Sequence, residues 1–118
     1  MLNKKEEIYA AIKDITGNVG DTYPAEWEKL PAIQYVEEEN RVQQWTDNRE
    51  QSSYVRYRID IWDRVSTSAL AVEVDKKIAA LGFKRTQCMD VDDPNGYKHK
   101  VMRYEGIINM KDDRVAHT

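Results

Sequence analysis

Three groups of side chains in this 118-residue sequence have types and spacings that could do chemistry. The first is Cys88 with His99. They flank the dense turn signal Asp92-Asp93-Pro94-Asn95-Gly96, and a hairpin there would bring thiol and imidazole together as a nucleophile and its base. A strand thiol more commonly packs as a small hydrophobe, which is the expectation for Cys88. The second group is acidic. Asp90, Asp92 and Asp93 could hold a hard cation, but their spacing is not that of an EF-hand loop and turn chemistry accounts for them. In the run Glu37-Glu38-Glu39, successive strand residues point to opposite faces. The three carboxylates therefore do not converge on one ion, and the run reads as a solvated strand end. The third group is Tyr54, Arg56, Arg58 and Trp62 on alternate positions, a face that could stack bases and meet phosphates. Asp60 sits in the same row, and the chain carries 18 basic against 21 acidic residues, a net charge of −3 that gives no general attraction to nucleic acid. Glycines 17, 20, 82, 96 and 106 are scattered and form no phosphate loop. One cysteine allows neither an intrachain disulfide nor a cysteine-based zinc site. No catalytic constellation, metal or cofactor is expected, so the chain reads as a non-enzyme.

The element that must position the Arg-rich face runs from Tyr54 to Asp63. Val55, Tyr57, Ile59 and Ile61 alternate with Tyr54, Arg56, Arg58, Asp60 and Trp62, the period of a half-buried strand rich in β-branched and aromatic residues. From Ser66 the period changes. Leu70, Val74, Ile78 and Leu81 recur at helical spacing, with Ser66 or Thr67 as a start and Gly82 as a left-handed stop.

The remaining elements are read around that pair. Asn3 and Glu6 form a capping-box signal for a helix over 3–15, with Ile8, Ala11, Ile12 and Ile15 on one face. A connection over 18–30 holds Trp27, expected as a packed loop aromatic. Pro31 opens a strand through Glu39. Residues 40–53 are polar and aperiodic, far longer than an ordinary hairpin loop, and read either as a floppy loop or as a long polar β-hairpin arm that extends the two strands beyond the body. Trp45 between Arg41 and Arg49 is the natural anchor there for a protein partner. Strands follow over 83–90 and 97–109. In the second, Met102, Tyr104 and Ile108 face one way, Val101, Arg103 and Ile107 the other, and Gly106 marks a candidate bulge. Residues 111–118 read as a polar tail.

The expected fold class is thus α+β: a single domain over 1–118, in the order helix, strand, strand, helix, strand, strand. Its mostly antiparallel sheet carries the helices on one face. The 118 residues, 41% of them hydrophobic, suffice for one real core. The N-terminus lacks the apolar run of a signal peptide, and no stretch approaches a membrane span, so synthesis in a reducing cytoplasm is expected.

The order of several short motifs resembles one family. These are Leu30-Pro31-Ala32-Ile33-Gln34-Tyr35, the polar arm, Tyr57-Arg58-Ile59-Asp60-Ile61-Trp62, Leu81-Gly82-Phe83, Asp90-Val91-Asp92 and His99-Lys100-Val101-Met102-Arg103-Tyr104. The chain resembles, over nearly its whole length, the tail completion proteins of long-tailed bacteriophages and prophages, also called tail terminators or tail-to-head joining proteins. That resemblance implies a homo-oligomeric ring, usually a hexamer. The ring caps the tail tube, ends its polymerisation and presents a surface to the head connector. Its partners would be further copies of itself, the tail tube protein and the head-connector protein. It would be made in the bacterial host cytoplasm and end in the virion tail. Arg41, Trp45, Arg49, Arg56, Arg58 and Trp62, with the acidic patch Glu37, Glu38 and Glu39, are the candidate contacts. The alternative is a small nucleic-acid-binding module using the exposed face of strand 54–62.

Overall fold

The computed structural model describes residues 1–117. Its elements are α1 (Lys5–Ile12), β1 (Val19–Gly20), β2 (Ala32–Thr46), β3 (Arg49–Asp63), α2 (Ser68–Ala79), β4 (Lys84–Val91), β5 (Lys98–Asn109) and β6 (Val115–Ala116). The sheet runs β1-β2-β3-β5-β4, with β6 pairing β5. Among the described residues β1 and β2 pair in parallel and the other pairs are antiparallel. This is an α+β fold with two helices and a six-stranded, mostly antiparallel sheet.

The period-2 pattern of β3 decides the core. Val55, Tyr57, Ile59 and Ile61 are each fully buried. In register beside them stand Ile33 of β2 and Met102 and Tyr104 of β5. Ile8 and Ile12 of α1 and Ala71, Val74 and Ile78 of α2 cover this one face of the sheet. Burying each of these large aliphatic side chains contributes roughly 1.5–3 kcal/mol. The helices are shorter than their sequence signals. The capping box does not form: Lys4 is the residue before the first helical turn, and Asn3 Oδ1 accepts only from the Lys5 N–H, at 3.3 Å. Tyr57 ties the helix start to the sheet instead. Its hydroxyl accepts from the Lys4 N–H at 2.8 Å and donates to Glu37 Oε1 at 3.0 Å. Gly82, at φ +103, closes α2 in the left-handed region as expected.

Two expectations need correction. Gly106 is no bulge, because it pairs in regular register with Val55. A Cβ there would stand 2.6 Å from Val115 Cγ1 and 2.8 Å from the Phe83 ring, so glycine is what lets those side chains close over β5. Nor is the C-terminal stretch simply a polar tail: Val115–Ala116 form β6, and Val115 packs against the core. Thr118, part of that expectation, lies outside the described residues.

Candidate functional site

Among the described residues one face of the sheet carries no helix. β3 presents Tyr54, Arg56, Arg58 and Asp60 there, and the register sets β5 residues Ile107, Glu105, Arg103 and Val101 opposite them. β2 contributes Val36, level with Arg58, and Arg41, level with Tyr54. On such a face the charges must satisfy one another, and Glu38 is the hub. It accepts from Arg103 Nε at 2.9 Å and from Arg56 Nε and Arg58 Nη1 at 3.3 Å each. Burial works to raise the Glu38 carboxyl, but Arg103, Arg58 and Arg56 together outweigh it and hold the group below its ordinary range. Glu39 meets Arg56 at 3.2 Å and Arg41 at 2.6 Å. The Arg41 guanidinium lies 4.0 Å over the Tyr54 ring, whose hydroxyl donates to Glu105. Asp60 takes Arg58 Nε at 2.8 Å and His99 Nε2 at 3.0 Å. Arg41, Arg56, Arg58 and Arg103 therefore stand among Glu38, Glu39, Asp60 and Glu105.

The acidic run differs from its sequence reading in two ways. It is no strand end, since β2 continues to Thr46. And Glu38 is an extra residue in the ladder, between the Glu37–Tyr57 and Glu39–Arg56 pairs. That bulge breaks strict alternation. Glu37 turns to the helix side, where it meets Tyr57, while Glu38 and Glu39 both meet Arg56 on the bare side.

Trp62 is also corrected. It was expected on the exposed face with Arg56 and Arg58, yet it is 1% exposed. The connection over 21–31 folds back so that Tyr23 and Trp27 approach Trp62 edge-on, with centroids at 5.3–5.6 Å among the three rings. His99 stacks on Trp62 at 4.4 Å, and Trp27 stacks on Tyr97 at 5.1 Å. Trp27 is thus the packed loop aromatic its composition suggested. Period-2 alternation gave no warning about Trp62, because a distant loop, rather than the strand, covers it.

Beyond the body, β2 and β3 continue as a pair to Thr46 and Arg49, closed by Asp47 and Asn48 at φ 53 and 60. Positive φ at both central residues is the requirement of a two-residue type I′ hairpin turn. β5 accompanies β3 only as far as the Ser52–Asn109 pair, so the hairpin end runs past its neighbour. Trp45 is 59% exposed there, and Val42, level with Ser53 and Ile108 inside the body, is 46% exposed. Arg49, beside the turn, pairs with Thr46.

Cys88 is exposed rather than packed, which corrects its expected role as a small core hydrophobe. It stands opposite Met102, on the helix side, whereas His99 meets Asp60 on the bare side. The thiol and imidazole thus point to opposite faces and form no pair. Asp93 serves the turn: its carboxylate accepts from the Asn95 and Tyr97 N–H groups at 2.9 and 3.4 Å. Among the described residues no group of three or more His, Cys, Asp or Glu side chains is placed to hold a metal ion. No helix among them is long and apolar enough to cross a membrane. Sequence reasoning passed over His99 and Glu105 as parts of the bare face. Their signal was parity: each shares a β5 face with Val101, Arg103 and Ile107.

No protein-family model matches the chain, and no curated protein matches it.

Proposed function

We propose that this chain is a structural tail completion protein of a phage or prophage. In this reading it joins with copies of itself in a ring, ends the tail tube and offers a surface to the head connector. The resemblance of the ordered motifs supplies the identity. The observation that carries the mode of action is the hairpin end, where Trp45 stands exposed past the last β3–β5 pair, beside the turn and Arg49. An exposed tryptophan flanked by arginine on a two-stranded projection fits a protein contact, since Trp and Arg dominate the energetics of such surfaces. The hairpin is then the arm, and it engages a neighbouring subunit or the tube. The bare face suits the same use. Its arginines already hold carboxylates in fixed positions, so it offers a patterned, mixed-charge surface that sets register rather than a basic track for phosphates.

Electron microscopy of particles assembled with and without this chain tests the reading. Tails of irregular length, or free heads beside free tails, are expected in its absence; normal infectious particles would refute it. Salt-sensitive binding of single-stranded RNA or DNA by the purified protein would favour the nucleic-acid module instead.

A further inference from the structure

The sheet is open at both ends. β1 covers β2 only at Ile33 and Gln34, and among the described residues no strand pairs the outer edge of β2 from Tyr35 onward. At the other end β4 pairs, among the described residues, only β5, and its residues from Lys84 to Asp90 are exposed on both faces. A strand that adds almost nothing to the core yet stays paired along its length presents a row of backbone groups to a partner.

The levels across the sheet say which partner fits. Following the register from β2 through β3 and β5 to β4, Tyr35 is level with Cys88, Val36 with Gln87, Glu37 with Arg85 and Glu39 with Lys84. Acidic residues on one open edge thus stand level with basic residues on the other, and on both faces. Glu37 and Arg85 lie on the helix side, where they touch Tyr57 and Asp75; Glu39 lies on the bare side with Arg56, its cross-strand neighbour level with Glu105 and Lys84. The directions agree as well. β2 and β5 run one way, β3 and β4 the other, so copies related by rotation about an axis along the strands bring β4 antiparallel to the next β2. Each edge carries a bulge, at Glu38 and at Thr86, a device that discourages indiscriminate strand addition.

We infer that the partner for these edges is a second copy of this chain: β4 residues 84–88 add to β2 residues 35–39 of the next subunit as an antiparallel ladder, Arg85 facing Glu37. The contact is heterologous, one edge meeting a different one, so it does not stop at a dimer and builds a ring where the rotation between copies closes. This inference rests on the self-assembly part of the proposed function.

The single native cysteine makes the register testable. Within one chain, positions 35 and 88 are separated by three strand spacings, about 14 Å, twice what a disulfide spans. Between copies the proposed ladder sets them opposite. Mild oxidation of the purified Tyr35→Cys protein is therefore expected to give covalent multimers larger than dimers, with the wild type giving none. Because Tyr35 packs near Tyr9, a second pair is run on the bare face: Val36→Cys with Gln87→Cys, in a Cys88→Ser background, with the same expected ladder. Arg85→Glu should weaken self-association about two- to fivefold, and adding Glu37→Lys should restore it. Native mass spectrometry and microscopy run alongside. Rings that form but cross-link at neither pair would overturn the edge contact and leave the ring reading standing. Wild-type dimers linked through Cys88 would replace it with a two-fold β4–β4 pairing. A chain that stays monomeric at every concentration, and on isolated tail tubes, would refute both.

Discussion

Replacing Glu38 by Gln keeps the shape of the hub and removes its charge. The side chain is 15% exposed, and three arginines lean on it. Only the Arg103 Nε contact, at 2.9 Å, lies in the range of a strong charge-assisted bond; the contacts to Arg56 and Arg58 are longer, at 3.3 Å. A hydrogen bond to a charged group is worth about 1.5–3 kcal/mol net. Arg56, Arg58 and Arg103 are each about a third exposed and recover some hydration when the carboxylate goes, so the two longer contacts add little. The expected loss is about 2 kcal/mol, read as a lower urea midpoint at neutral pH with an unchanged slope. For a chain of this length that is roughly 8 °C in Tm. Acid should remove the same contribution from the wild type. The folded-state carboxyl is held below its ordinary value, so its contribution is complete above the ordinary glutamate pKa of about 4.3 and is lost as pH falls below that through the depressed one. The Gln variant should therefore show a shallower decline of stability over that acid window. Arg103→Gln in both backgrounds completes a double-mutant cycle, with a coupling near 1 kcal/mol or more expected. A Glu38→Gln protein within about 0.5 kcal/mol of the wild type, with the same acid profile, would refute the idea that this face is held by one carboxylate hub.

Four further substitutions probe other parts of the reasoning by the same unfolding assay. Trp62→Ala should lose about 3–5 kcal/mol, whereas Trp45→Ala, at an exposed position, should stay within about 0.5 kcal/mol while impairing assembly; equal losses at the two sites would contradict the burial argument. Gly106→Ala should lose about 1–3 kcal/mol, because its methyl must displace Val115 or Phe83; a neutral result would mean that β6 is easily moved. Tyr57→Phe strands the Lys4 N–H, a loss of about 1–2 kcal/mol, and should speed amide exchange at the start of α1.

Much of the sheet was legible because side-chain parity is a local property. The buried face of β3 and the opposed faces of β5 follow from alternate residues alone. The helical spacing of Val74 and Ile78 and the Gly82 stop are equally local. What could not be read is where that logic is broken by distant contacts. One extra residue at Glu38 rotates the acidic run, so Glu39, which alternation sends to the helix side, joins the Glu38 hub on the bare face. Gly106 looks like a bulge in a strand pattern; its reason is the approach of Phe83 and Val115, neither of which is near it in the chain.

The candidate contacts divide along the same line. By its own composition the chain determined a non-basic α+β domain, a half-buried central strand with arginines on one side, and a polar stretch over 40–53 with a tryptophan in it. Tertiary structure alone decided that Trp62 is core and Trp45 surface, since a loop from residues 21–31 returns to cover the one and the other stays exposed. It alone decided that Cys88 and His99 point apart, and that Glu37 and Arg85 stand level on opposite edges. A residue's type and parity are written in its neighbours along the chain, but its burial and its partners depend on which other strands, helices and loops the fold lays beside it.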